Sequence, residues 1–161
     1  VDTISCNAAI SACEKRLQWV KALELLRIMI RTRIQPDTIT YSAAISACEK
    51  VGEWALALGL LSVMVRARTC VNIITYNAAV SACEKGGAWV NALELLRTML
   101  RSRIKVDTIA YGAAIGACAN AGMWLKAMEL FGAMAQNRID VDTITYIAAI
   151  SACEQNHQWM K

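Results

Sequence analysis

The sequence predicts an all-α protein, an α-solenoid of helix–turn–helix repeats, and three observations lead to this fold class. Apolar residues make up 57% of the chain but aromatic residues only 6%, with one proline, a balance that suits closely packed helices. Within each stretch the apolar residues follow helical spacing. Two columns of residues recur every 35 positions: Trp19, Trp54, Trp89, Trp124 and Trp159, and Cys13, Cys48, Cys83, Cys118 and Cys153.

The period divides the chain into one array of repeat units. The predicted units cover residues 3–37, 38–72, 73–107 and 108–142, with a partial unit over 143–161. A single hairpin of this size cannot bury its own apolar face, so the units are expected to stack into a continuous core and a superhelix.

The first helix of each unit is predicted from its cap and its small residues. In the first unit it covers roughly Ser5–Lys15, and its counterparts start near Thr40, Thr75, Ala110 and Thr145. An N-cap residue type precedes each one: Asp2, Asp37, Asn72, Asp107 and Asp142. An Ala-Ala pair and an Ala-x-x-x-Ala-Cys pattern follow, which gives neighbouring helices a flat face for close approach.

A turn and a second helix complete the unit. The turns hold Gly52, Gly86–Gly87 and Gly122, while the first unit has Arg16–Leu17. The second helix is predicted from about Trp19 to Arg31. Columns of Trp and Met could line a cofactor pocket or form the core between repeats. Their recurrence in phase favours core.

Seven cysteines invite a metal or disulfide interpretation, but their spacing argues against both. There is no C-x-x-C, and the one histidine is His157. Equivalent positions in stacked helices lie about 8–10 Å apart, whereas a disulfide needs Cα atoms within about 7 Å. We therefore predict small buried thiols, no metal and no cofactor, with Cys6 and Cys70 incidental to the column. Free thiols point weakly to a reducing compartment.

Composition and motifs exclude several classes of function. No apolar stretch approaches the roughly 20 residues of a membrane span. The net charge of +4 is compatible with a nucleic-acid partner without being diagnostic of one. No P-loop, GxGxxG or HExxH occurs, and no H-x-E with C-x-x-C, so we predict no enzymatic activity. Because the chain opens inside a repeat, we expect it to be a piece of a longer protein.

The repeat motif resembles the pentatricopeptide repeat over nearly the whole chain. It reads T-Y-N/S-A-A-I-S-A-C-E-K, then A-L-E-L-L-x-x-M, then a closing R-I-x-x-D. Its NAAISACEK segment is similar to the corresponding segment in large repeat families of algae and protists. The tetratricopeptide repeat is the nearest competitor, but its W-x-x-L-G-x-x-Y opening is absent.

This resemblance implies a right-handed superhelix that binds single-stranded RNA, about one base per repeat. It also implies that the protein acts in mitochondria or chloroplasts, where it would take part in RNA processing, stability, editing or translation. Other RNA-processing proteins would be further partners, and neither a membrane nor a small-molecule substrate is implied.

The resemblance also implies which side chains read the bases. The residue after the Tyr column contacts the base edge, and the closing residue of the unit assists. The pairs are Asn7 with Asp37, Ser42 with Asn72, Asn77 with Asp107, and Gly112 with Asp142. They correspond to uracil, adenine, uracil and an ill-defined fourth base for which guanine is a weak guess. Ile147 predicts no readout in the fifth unit. The hypothesis is a 5′-U-A-U-(purine)-3′ preference.

Two further columns have a functional and a structural interpretation. Ile4, Ile39, Ile74 and Ile109 would sandwich the bases, or they are core residues at a helix start. Lys15, Lys50 and Lys85 would contact phosphates, or they compensate the helix dipole. Asn120 and Gln155 replace lysine in the last two units. The arginines that end the second helices are interpreted mainly as solvated charges, and the closing acids as N-caps as well as readers.

A different class of function remains open. The same solenoid could be a protein-interaction scaffold of the tetratricopeptide type, or a structural array without a specific ligand. A scaffold would bind RNA with no base preference.

Overall fold

A computed structural model describes residues 2–154, and over that range the protein is an α-solenoid of nine helices without a strand. The predicted fold class is therefore confirmed. Gln155, His157 and Trp159 lie outside the described residues. The helices are α1 (Thr3–Lys15), α2 (Trp19–Arg31), α3 (Thr38–Val51), α4 (Trp54–Arg66), α5 (Ile73–Lys85), α6 (Trp89–Arg101), α7 (Thr108–Asn120), α8 (Trp124–Gln136) and α9 (Thr143–Glu154).

Each first helix begins two residues earlier than predicted, directly after its capping residue. In α1 the Asp2 carboxylate accepts from the Ser5 amide at 2.8 Å, and in α3 the Asp37 carboxylate accepts from the Thr40 amide at 2.8 Å. The first turn carries an exposed isoleucine, so the apolar pattern becomes visible only in the second turn. The second helices begin at tryptophan, as predicted.

A residue with positive φ lies in each of the four hairpin turns within residues 2–154. Gly52, Gly87 and Gly122 have φ of 74°, 71° and 69°, a conformation that glycine adopts without steric cost. In the first unit Leu17 takes this place, with φ 58°. The predicted turns are thus correct, and in the third unit the second glycine of the pair is the left-handed one.

The helices form two layers of unequal spacing. Each first helix packs against the first helix of the next unit, and each second helix packs between its own first helix and the next one. Among residues 2–154, consecutive second helices have no Cα atoms within 8 Å of each other. The layer of first helices is therefore the tighter one, because alanine, cysteine and glycine allow close approach. This difference puts the first helices on the inner side of the array.

Buried columns run between the two layers. Met29, Met64, Met99 and Met134 are fully buried, as are Ala22, Ala57, Ala92 and Ala127. Cys48, Cys83 and Cys118 are buried as well, and burial raises the pKa of their thiols to about 11. Cys13 and Cys153, which were predicted to be buried with this column, are only partly buried. The cysteines of the described residues are free thiols.

Two predictions about the core need correction. The tryptophans of α2, α4, α6 and α8 are only half-buried and pack at the edge of the core clusters. Cys6 is not incidental: it is buried in the first unit at the position that Tyr41 occupies in the second. Cys70 is exposed.

Among residues 2–154, no helix combines the length and apolar character needed to cross a bilayer. The same residues contain no group of three or more His, Cys, Asp or Glu side chains placed to hold a metal ion.

Candidate nucleic-acid interface

A row of isoleucines is exposed along the beginnings of the first helices. Ile4, Ile39, Ile74 and Ile109 leave between 59% and 78% of their surface open to solvent, and Ile144 continues the row. Large aliphatic side chains at a helix start would normally be buried in a core. The core interpretation of this column is therefore wrong, and a row of apolar walls is available on the surface.

In the first unit, the structure brings together the two predicted reading residues. The Asn7 amide nitrogen donates to both carboxylate oxygens of Asp37, each at 3.1 Å. A carboxylate only accepts, so this contact fixes which way the amide points. The Asn7 carbonyl oxygen then faces Thr40, whose hydroxyl lies 2.5 Å away.

The second unit uses hydroxyl groups in the same place. The Thr75 hydroxyl donates to the Asn72 side-chain oxygen at 2.9 Å, and it lies 2.8 Å from the Ser42 hydroxyl. Because the Thr75 hydrogen goes to Asn72, the Ser42 hydroxyl is the donor to Thr75. Ser42 and Asn72 are thus linked through Thr75 rather than directly. The Ser42 lone pairs and the Asn72 amide N–H groups remain for a ligand.

The third unit repeats the first with one difference. The Asn77 amide nitrogen donates to both Asp107 oxygens, at 3.2 and 2.9 Å. Position 110 holds alanine where position 40 holds threonine. The buried Asn77 carbonyl oxygen consequently has no hydrogen-bond partner.

The fourth unit offers backbone at the reading position. A Cβ on Gly112 would lie 3.0 Å from the Thr145 hydroxyl oxygen, so this position faces the next unit as its counterparts do. The Thr145 hydroxyl and amide donate to Asp142 at 2.6 and 2.8 Å. In the fifth unit the exposed Ile147 stands at the reading position.

Hydrogen bonds favour the ionised form of two closing acids, Asp37 and Asp142. Burial acts to raise the pKa of Asp37, but donation from the Thr40 amide and hydroxyl and from Asn7 outweighs it and leaves this pKa below the ordinary value. The Thr145 hydroxyl and then its amide lower the pKa of Asp142. These carboxylates are therefore negative acceptors at neutral pH.

The sequence interpretation missed a column of buried threonines at this interface. Thr40, Thr75 and Thr145 are almost completely buried, and the hydroxyl hydrogens of Thr75 and Thr145 go to the closing residue of the preceding unit. The Thr40 hydrogen is shared between Asp37, at 2.9 Å, and the Asn7 carbonyl oxygen, at 2.5 Å. The signal was present as a 35-residue repeat directly after the isoleucine column, interrupted by Ser5 and Ala110.

The cationic columns lie at the other ends of the helices. Lys15, Lys50 and Lys85 are exposed at or near the ends of α1, α3 and α5, and Lys85 forms an ion pair with Glu49. The lysines lie 11 residues beyond the isoleucines, about 16 Å along a helix axis. The arginines after the second helices are exposed and have positive φ, 54° to 58°: Arg33, Arg68, Arg103 and Arg138.

Family models match almost the whole chain. A model described as the PPR repeat family matches residues 1–50, and the pentatricopeptide repeat domain matches residues 94–156. A single PPR repeat matches twice, at residues 39–68 and 74–104. Among curated proteins, none matches significantly.

Solved structures share the architecture. The pentatricopeptide repeat protein PPR10 from maize superposes over 99% of this chain with a TM-score of 0.82 and 21% identity, and it has also been solved with an 18-nucleotide psaJ RNA element. The chain spans about a quarter of the maize protein, 23%. The PPR domain of protein-only RNase P 1 from Arabidopsis thaliana, solved with tRNA, gives a TM-score of 0.84 at 15% identity over 96% of this chain and 82% of that domain.

Proposed function

Because the chain belongs to the pentatricopeptide repeat family, we propose that it binds single-stranded RNA with about one base at each unit. The unit boundaries at residues 37, 72, 107 and 142 are part of this proposal, since each closing residue serves the unit that it ends. We propose a role in RNA processing, stability, editing or translation in a mitochondrion or chloroplast. The repeats are assigned binding rather than catalysis.

One observation carries the proposal. The reading position of each of the first four units faces the cap of the next first helix. An exposed isoleucine lies three residues before each reading position and another lies two residues after each closing residue, and in the fourth unit Ile109 and Ile144 line one cavity with Gly112. An apolar wall on either side with a hydrogen-bonding group between matches the two faces and the polar edge of an unstacked base. A scaffold for proteins would have no need of that alternation.

The amide orientation supports uracil in the first and third units. Each amide nitrogen uses one hydrogen on its aspartate, at Asp37 or Asp107, and its second hydrogen can reach an acceptor on a base. Uracil offers a carbonyl oxygen there, and its neighbouring N3–H can donate to the carboxylate. Cytosine would direct its amino group at the amide hydrogen, so the contact would be repulsive.

The hydroxyl relay supports adenine in the second unit. Ser42 donates toward Thr75 and keeps its lone pairs free, while Asn72 keeps its amide hydrogens. Adenine presents an amino group that donates and a ring nitrogen N1 that accepts, which complements this pair. The first three units together favour 5′-U-A-U-3′.

Fluorescence anisotropy with labelled RNAs tests the proposal. The chain should bind an oligonucleotide that contains U-A-U more tightly than one with the same bases scrambled, by about tenfold or more, since each well-matched base contact discriminates by about 1–3 kcal/mol. The variant Asn7→Ser should weaken selection of the first uracil and leave the third position unchanged. Equal affinities for all sequences would favour the scaffold interpretation, in which RNA binding has no base preference.

A further inference from the structure

The inner face of α7 has lost the side chains that the other first helices carry. Where the earlier units place serine, α7 has Gly116, and where they place lysine it has Asn120. Gly112 removes the reading side chain one turn before Gly116, on the same helix face. The first three units carry a larger side chain at each of these three positions.

A cavity of about 190 Å³ lies beside Gly112, and the hydroxyl residues Ser81, Thr108 and Thr145 contribute to its lining. Its apolar walls are Ile109 and Ile144, two members of the exposed isoleucine row. Its polar lining includes two carboxylates, Asp142 from the loop before α9 and Glu84 from α5. A water molecule takes about 30 Å³, so the cavity has room for a ring system rather than for an isolated solvent molecule.

Glu84 lies in this cavity because of two sequence changes in α7. Its counterpart Glu49 pairs with Lys85 one unit further on. The next unit presents Asn120 to Glu84 in place of that lysine. The Glu84 carboxylate instead rests over Gly116, where any Cβ would collide with its Oε1 atom.

The surroundings of Glu84 differ from those of a surface glutamate. Burial raises the pKa of Glu84, Lys85 lowers it in part, and the charge of Glu49 raises it further. A half-buried carboxylate in an apolar-walled cavity gains more from a hydrogen-bond donor than an exposed one does.

We propose that Glu84 is a specificity-determining residue, which together with Asp142 makes the fourth unit a guanine site; this rests on the RNA binding proposed above. Both groups only accept hydrogen bonds, so they favour a base that presents more than one donor on a single edge. Guanine does so with N1–H and its amino group. On the same Watson–Crick edge, adenine, cytosine and uracil each carry at least one acceptor where guanine has a donor. That acceptor would face a carboxylate, and the contact would be repulsive.

The test uses four labelled RNAs that differ only in the base after U-A-U, with the 161-residue chain and three variants. The unmodified chain should bind the guanine RNA about tenfold more tightly than the other three. Glu84→Gln should reduce this preference to about twofold. Gly116→Ser should reduce it too, because the serine displaces the carboxylate. Glu14→Gln, the same position in the first unit, is the matched control and should leave the preference intact.

The outcomes separate this inference from the function on which it rests. If the unmodified chain selects U-A-U over scrambled RNA but has no preference at the fourth base, the guanine site alone is wrong. It is also wrong if Glu84→Gln keeps the full preference or weakens all four RNAs equally. A chain that selects no base at any position would overturn the proposed function together with the guanine site.

Discussion

The Asn77 side chain shows how one residue changes an otherwise repeated cluster. Its carbonyl oxygen is buried without a donor, whereas the equivalent oxygen of Asn7 faces the Thr40 hydroxyl. Leaving a buried acceptor unsatisfied costs about 1–3 kcal/mol. In the third unit, the Asn77 side chain is therefore hydrogen-bonded through its amide nitrogen only.

Restoring the missing hydroxyl should stabilise the protein. We expect Ala110→Thr to raise the free energy of unfolding by about 1 kcal/mol, because the new hydroxyl can donate to Asn77. The melting temperature in circular dichroism should rise by about 2–4 °C. Ala110→Val has the same shape without the donor and should give no such rise. An equal gain from both variants would show that shape rather than the hydrogen bond is responsible.

The cysteine column provides a second test at the scale of residues. Cys48, Cys83 and Cys118 have pKa values raised to about 11 by burial, so almost none is thiolate at pH 8. Iodoacetamide should modify the exposed Cys70 in the native protein and reach the three buried thiols only after unfolding. Mass spectrometry of the labelled peptides measures this order. Native labelling of Cys48 as fast as Cys70 would contradict the packing.

The elements were predictable where their pattern reaches the core. The second helices begin at a tryptophan that packs on the core edge, so the periodicity locates them correctly. The first turn of each first helix carries an exposed isoleucine, so the apolar spacing begins only in the second turn. The capping residue is the better indicator of where these helices start. The positive φ angles of the arginines after the second helices, such as 58° at Arg33, could not be predicted, because these positions lack the glycine that is typical of this conformation.

The reading residues illustrate the same limit at the candidate site. The family resemblance located Asn7 and Asp37, and the structure brings them into contact. The resemblance could not supply the role of Glu84, because that role depends on space left by Gly116 in the next unit. Contacts between units are invisible in a pattern that describes one unit at a time.

The first hairpin turn should be the easiest element to stabilise. Leu17 is exposed and holds φ 58°, where glycine stands in the next three turns. A left-handed conformation costs an L-residue roughly 1–2 kcal/mol, so Leu17→Gly should stabilise the unit by up to about 1 kcal/mol once the greater freedom of the unfolded chain is included. Hydrogen exchange in α1 and α2 measures this locally.

Two comparison variants make the turn prediction specific. Leu17→Ala keeps a Cβ in the strained conformation and should give little gain. Gly52→Ala should destabilise, because its φ of 74° disfavours alanine and its Cβ would lie 3.3 Å from the Lys85 carbonyl carbon. If Leu17→Ala slowed exchange as much as Leu17→Gly, removal of the leucine side chain rather than relief of the backbone would be the cause.

At the scale of the whole molecule, the solenoid separates two tasks along each first helix. The isoleucines and reading groups lie at the helix starts, and the lysines lie about 16 Å away near the helix ends. The tighter inner layer repeats this arrangement from unit to unit. An RNA strand that follows the inner face could thus place bases at one edge of the layer while its phosphates face the other.

This arrangement predicts how salt should act on RNA binding. Each phosphate contact on a single strand contributes a slope of about −0.7 to the dependence of log affinity on log salt. Lys15→Gln should therefore make the slope shallower by about 0.7 without changing base preference. Lys21→Gln removes the same charge from the outer helix α2 and should leave the slope unchanged. Lys85→Gln should act less than Lys15→Gln, because Glu49 already pairs with Lys85. Equal slopes for Lys15→Gln and Lys21→Gln would show that the lysine column only compensates the helix dipoles. The phosphates would then have to contact other cations, such as the arginines that follow the second helices.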